Sequence, residues 1–200
     1  MPEKMIANTL MLQALVSMEE VLGKTGLNAV LNAAGLAKYV GNFPPDNTEP
    51  SVSYTDYARL NAAIEEYIGR ASKGILQRIG RASFQYGVRE QAALLGLAGA
   101  VAVKFLPRKQ QVKFILTQIG NALKKISPET EFWVDDRDGM AYCARDCSIC
   151  EGRTADQPVG HLLVGSLAEA AKWATGDELR VTETMCKAKG DAYGRWEVEL

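Results

Sequence analysis

Apolar residues recur every three or four positions through the first two thirds of the chain, a period that predicts helices. Leu10, Leu12, Leu15 and Val16 fall within residues 6–22, and Leu27, Val30, Leu31 and Leu36 within residues 26–39. The breaker Gly23-Lys24-Thr25-Gly26 separates them, so a helical hairpin is expected. Residues 41–53 carry three prolines among Asn and Asp and predict an irregular loop, placed to act as a lid. A long amphipathic stretch follows from Tyr54 to about Gly80, with Ser53 as its N-cap, Asp56 in its first turn, and Gly69 and Gly74 as bends. The Ala/Leu/Gly-rich run from Ala92 to Val103 predicts a buried helix, and Pro107 to Ile126 an amphipathic one.

After Pro128 the period changes. Phe132-Trp133-Val134, the turn Asp135 to Gly139 and Met140 to Cys143 predict a β-hairpin. Pro158 to Ala174 predicts a helix stopped at Thr175-Gly176. Strict alternation at residues 179–184 and 195–200 predicts two more strands, joined through Lys189-Gly190-Asp191. This order implies an α+β fold, with several N-terminal helices packed on a twisted antiparallel sheet of about four strands. We expect a single domain over residues 1–200, with 1–126 mainly helical and 127–200 carrying the sheet and the cysteines.

Composition narrows the function. The chain has 200 residues, 47% of them hydrophobic, and a formal net charge of −1, which offers no basic footprint for nucleic acid or an anionic membrane. Glu19 and Glu20 interrupt the N-terminal apolar stretch, which argues against an export signal. Ala92 to Val103 is well short of the ~20 residues that span a bilayer. The expected location is the cytoplasm, with no membrane insertion and with thiols kept reduced.

Cysteines supply the candidate chemistry. Cys143, Cys147 and Cys150 lie within eight residues, and Cys186 sits near the C-terminus. A Cys-x2-Cys pair lets two thiolates reach one tetrahedral ion from a tight turn, with a remote ligand such as Cys186 closing the site. Cys143, Glu183 and His161 compete for the remaining position. Glu183 and Cys186 are three apart and face opposite sides of a regular strand, so both bind only where a bulge or strand end intervenes. Zinc is the favoured ion, because it takes thiolate and carboxylate together. The competing readings are an iron–sulfur cluster on all four cysteines, reduced thiols without metal, and a disulfide. The Cys-x3-Cys-x2-Cys spacing also occurs in radical S-adenosylmethionine enzymes, but only fifty residues follow Cys150, too few for their barrel.

Other motifs are weaker. Gly69-x4-Gly74 is followed by Ile75 rather than the Lys of a phosphate loop. The sole histidine, His161, opens a helix, where capping or packing competes with a role in ligation. No serine or cysteine has an evident catalytic partner, so no catalytic residue is assigned. An apolar ligand pocket is expected from Phe84, Leu94, Leu95, Leu97, Val101, Phe105 and Trp133, with His161 nearby; core packing is the competing role for such a stripe.

The C-terminal third resembles the 4-vinyl reductase-type, hydrocarbon-binding domain family. The resemblance rests on Cys147-Ser148-Ile149-Cys150, on Pro158-Val159-Gly160-His161 leading into Val164-Gly165-Ser166-Leu167, and on Glu183-Thr184-Met185-Cys186-Lys187-Ala188-Lys189-Gly190-Asp191. Gly74 to Arg81, preceded by Tyr54 to Tyr67, is similar to the helical part of stand-alone members. The resemblance implies a fold shared with TRAPP trafficking subunits and haem-type nitric oxide sensors, an apolar pocket and a homodimer. It also implies a metal held by Glu183, Cys186 and one or more of Cys143, Cys147 and Cys150. The chain departs from the pattern at Ala192-Tyr193-Gly194-Arg195, where many members place a further cysteine, leaving Cys143 or Cys147 to supply that thiolate.

The expected function is therefore binding of a hydrophobic, aromatic or tetrapyrrole molecule beside a structural metal site. One alternative is an enzyme or accessory factor of tetrapyrrole metabolism, although the chain carries no nicotinamide or flavin fingerprint. Another is a docking or regulatory scaffold.

Overall fold

The computed structural model describes residues 3–97 and 100–200, with the side chains of Ala100 and Val101 also outside the description. A short strand β1 (Met5–Ala7) leads into helix α1 (Asn8–Ala33). Within α1 only Gly23 leaves helical geometry, at φ 70° and ψ 164°, so the expected four-residue breaker reduces to a one-residue kink. Strand β2 (Pro50–Ser53) pairs antiparallel with β1, an element not expected from the sequence. The preceding loop is fastened down: the Asn8 and Thr9 N–H groups donate to the Glu49 and Asn47 carbonyls, and the Thr9 hydroxyl donates to Asp46. A freely moving lid is not what these bonds describe.

Helix α2 (Tyr54–Ile68) begins as expected, with the Ser53 hydroxyl accepting from the Asp56 N–H at 3.0 Å. Gly69 ends it at φ 66°, a left-handed backbone that glycine adopts without steric cost. Helix α3 (Ser72–Glu90) follows. The expected buried helix at 92–103 is replaced by turns over residues 92–96 and a 3-10 helix over Ala100–Phe105, in part because Gly96 takes φ 66°. A short apolar run specifies burial more strongly than it specifies a helix.

Helix α4 (Arg108–Ile126) precedes the hairpin of β3 (Glu131–Asp135) and β4 (Ala141–Arg145). Helix α5 (His161–Thr175) is stopped by left-handed Gly176, and β5 (Val181–Met185) and β6 (Gly194–Val198) complete the chain. The four strands form one antiparallel sheet in the order β3-β4-β6-β5. The sheet's inner face carries Phe132, Tyr142, Trp196 and Glu183, and α4 and α5 pack against the sheet.

Helices α3 and α5 touch backbone to backbone. A Cβ on Gly80 would lie 1.9 Å from the Leu162 carbonyl oxygen, and one on Gly165 would lie 2.0 Å from that of Gln77. Only glycine permits this approach, which fixes α5 between α3 and the sheet. No helix among the described residues is long and apolar enough to cross a membrane.

Candidate functional site

Two features converge on the loop that follows β4. One is an apolar cavity of about 90 Å³ with walls from α1, α2, α3, α4, α5, β3 and the loop residues Cys147-Ser148-Ile149. The other is the cysteine cluster, which shares Cys147 with that wall.

No Asp, Glu, Lys, Arg or His lines the cavity. Its body is apolar, with Phe84, Ile119, Leu123, Phe132 and Leu162 among its walls. At one end Ser127 and Thr130 join the Tyr54 hydroxyl in a buried triangle of oxygens, with separations of 2.7, 2.8 and 3.0 Å. Thr130 also donates to the Asp146 carbonyl at 2.9 Å. At another end, Gln91 donates both amide protons, to Thr9 and to Asp46, and Gln13 donates to the Ser83 carbonyl.

The structure sorts the residues expected to line the pocket. Phe84, Leu94 and Leu95 are on the wall. Leu97 is buried but is not part of it. The Val101 side chain lies outside the described residues. Phe105 is 86% exposed on its 3-10 helix, which removes it from the pocket. Trp133 is also removed: strand alternation turns it to the outer face of the sheet, stacked on Tyr193 at 5.1 Å with Arg145 over its ring. Its neighbour Phe132 takes the inward place. His161 lines a different, more open cleft of about 590 Å³, with Lys73, Gln77, Arg81 and Arg180. Burial, with Lys73 and Arg153 nearby, holds the His161 imidazole below its ordinary pKa. Sequence periodicity missed Tyr57, Ser127 and Thr130 as wall residues, because small polar residues at helix ends leave no periodic mark.

The same alternation separates the cysteines. Cys143 lies opposite Trp133 and Arg195 in the ladder, and its sulfur accepts from the Arg195 guanidinium at 3.8 Å on the outer face. This removes Cys143 from the expected metal set. Cys150 and Cys186 face each other with sulfurs 3.9 Å apart, and Cys147 hydrogen-bonds to Cys150. A register shift between Glu183 and Met185, together with the end of β5 at Met185, brings Cys186 to the side of Glu183. That is the bulge and strand end their three-residue spacing required.

Glu183 is buried, and one carboxyl oxygen accepts from the Gly160 N–H at 2.7 Å while Oε1 has no partner. Burial, reinforced by Cys186, pushes the Glu183 pKa up to about 9. The Cys150 hydrogen bond, aided by the Ile149 and Cys150 N–H groups, pulls the Cys147 thiol down. Its partnership with Cys147 pushes the Cys150 thiol up, and its partnership with Cys150 does the same to Cys186. Among the described residues, however, no group of three or more His, Cys, Asp or Glu side chains meets the geometry of a metal site.

Residues 140–200 match the family model of the vinyl-4-reductase domain, a span that contains the cysteine and Glu183 motifs on which the family resemblance rests. No curated protein matches the chain. Solved structures similar to it include the unliganded Fe(II) form of a mutant H-NOX protein from K. algicida, with a TM-score of 0.61 and 11% identity over 97% of each chain. An H-NOX protein from S. oneidensis in the Fe(II)NO state gives 0.56 and 13%, covering 94% of this chain and 98% of that one. An oxygen-binding H-NOX domain related to soluble guanylate cyclases gives 0.55 and 14%, covering 96% and 92%. The chain thus has the H-NOX type of α+β fold, in agreement with the haem-sensor fold that the resemblance implied.

Haem does not fit this cavity. Haem iron is held by a His, Cys, Met or Tyr ligand, and the only wall residues of those types are Tyr57 and Cys147. Burial holds Tyr57 far above the ordinary phenol range, and Cys147 is hydrogen-bonded to Cys150. No cation on the wall answers the haem carboxylates. An apolar cavity of roughly 150 Å³ accepts benzene, so about 90 Å³ suits a molecule no larger than a single ring.

Proposed function

We propose that this chain is a small-molecule-binding protein whose ligand is a compact, uncharged, largely apolar molecule of about one ring. The observation that carries this reading is an apolar cavity with no ionisable Asp, Glu, Lys, Arg or His on its wall. A buried charge without a partner is too costly to be retained, so a charged ligand has no place there. The aromatic class of ligand is thereby favoured over the tetrapyrrole class, which exceeds the space. Native mass spectrometry of freshly purified protein, followed by calorimetric titration with toluene and phenol, tests it. A saturable one-to-one complex is expected, and no binding of either ring at millimolar concentration would overturn it.

The cysteines add a structural metal to the proposal. The thiols of Cys147, Cys150 and Cys186, with the partnerless Glu183 oxygen, supply the soft and hard donors that zinc takes together. A four-ligand site of this kind is closed and does no chemistry; it would fix the loop that walls the cavity. Elemental analysis and the near-ultraviolet thiolate bands of cobalt-loaded protein provide the check. Cys147→Ser, Cys150→Ser and Cys186→Ser should each lower metal affinity by at least tenfold, and Cys143→Ser should leave it unchanged. Equal loss in Cys143→Ser would sink the assignment. The resemblance further supports a homodimer, and four free thiols suit the reducing cytoplasm.

A further inference from the structure

We infer that the Tyr54, Ser127 and Thr130 hydroxyls form the polar subsite of the cavity and that this subsite selects ligands able to donate a hydrogen bond. The inference rests on the small-molecule reading above and adds to it the polar chemistry of the ligand.

The argument is a proton count. Each hydroxyl has one proton and two acceptor lone pairs. Thr130 spends its proton on the Asp146 carbonyl, at 2.9 Å. Two protons, those of Tyr54 and Ser127, are left for the three oxygen–oxygen contacts of the triangle. Both are consumed within it, one contact carries no proton, and unused lone pairs remain on the oxygens. Ser127 and Thr130 are wall residues, so this surplus faces the cavity. The subsite therefore presents acceptors and no spare donor.

The second polar end has the same bias. Gln91 has already given both amide protons to Thr9 and Asp46. Its amide offers the cavity no proton.

A ligand O–H or neutral N–H can thus enter without disturbing any existing bond. An ether or ketone oxygen would either stay unpaired or break one of the triangle's bonds, and a bare hydrocarbon would leave the subsite unused. The apolar walls take up the rest of the molecule, and its charge must be zero because no counter-charge lines the cavity. The class that fits is a single-ring molecule bearing one neutral hydrogen-bond donor.

Phenol and toluene, equal in size and differing in that donor, are the probes. Calorimetric titration of the full chain should show phenol binding about tenfold more tightly than toluene, a ratio in keeping with one net hydrogen bond. Ser127→Ala should bring the two affinities together by weakening phenol while leaving toluene unchanged. Toluene binding also reports that the variant is folded. Thr130→Ser, which keeps the hydroxyl, should retain the preference. Toluene binding as tightly as phenol, or a phenol preference that survives Ser127→Ala, overturns the subsite and leaves the small-molecule reading intact. Failure of both rings to bind overturns that reading and the subsite with it.

Discussion

On β4, Tyr142 and Cys143 are neighbours in sequence and live in different solvents. Tyr142 turns inward, where it contacts Trp196 and Phe132 and comes near α4. Burial lifts its hydroxyl far above the ordinary phenol range, and its oxygen has no partner. Cys143 turns outward, into a layer of Trp133, Tyr193, Arg195 and Asp135 stitched by ion pairs. A shift of one residue exchanges an apolar chamber for a charged surface. The difference teaches that cysteine spacing alone cannot define a site here: Cys143 is close to Cys147 in sequence, and the sheet lies between its thiol and Glu183.

The inner side is packed until backbones touch, so the largest effect should come from adding one methyl group there. Gly80→Ala would drive its Cβ to 1.9 Å from the Leu162 oxygen and force α3 and α5 apart, at a cost of about 3 to 5 kcal/mol or loss of soluble protein. Gly74→Ala lies on the same helix with nothing within 4 Å of the added carbon, and should gain up to about 1 kcal/mol. Urea unfolding of both variants measures the contrast. Similar values for the two would show that α3 and α5 can separate freely, contrary to the close approach.

Tryptophans on the two faces sharpen the comparison. Trp196 is fully buried on the inner face, and its removal should cost about 3 to 5 kcal/mol. Trp133 is half-buried on the outer face, where Tyr193 and Arg145 cover it, and Trp133→Ala should cost roughly 1 kcal/mol. The same pair tests the pocket assignment, because Trp133→Ala should leave toluene and phenol affinities unchanged. A loss of ligand binding in that variant would return Trp133 to the cavity.

Much of this architecture is legible in the sequence wherever the signal is local. Alternation marks all four strands of the sheet, Ser53 and Gly176 mark helix ends, and the spacing of Glu183 and Cys186 demands the irregularity that β5 shows. What stays hidden depends on distant partners. β1 and β2 are three and four residues long and are defined only by pairing across more than forty intervening positions. The 92–103 run signals burial without specifying shape, and which side of β3 meets the helices depends on its register with β4. The cavity's polar subsite joins Tyr54 at the start of α2 to Ser127 and Thr130 after α4, a meeting that no local pattern announces.

The outer face supplies the smallest effect and one with a definite sign. Asp135 accepts hydrogen bonds from Arg137 and Arg195, and these hold its carboxyl well below the usual aspartate range. A carboxylate with a depressed folded pKa adds stability above its unfolded value, near 4, and that stability is lost as pH falls through and below that value. Asp135→Asn should therefore be slightly less stable than the native chain at pH 7, by an equal margin at pH 5, and by a shrinking margin below pH 4. Added salt should narrow the margin at neutral pH, since the partners sit at the solvent-exposed face and exposed ion pairs are screened. The inner face makes no matching contribution from Tyr142, whose phenol stays neutral across this range. Urea midpoints of both proteins from pH 3 to 7 read the difference, and a margin that stays constant down to pH 3 would mean that the Arg137 and Arg195 contacts do not hold the carboxylate in its charged form.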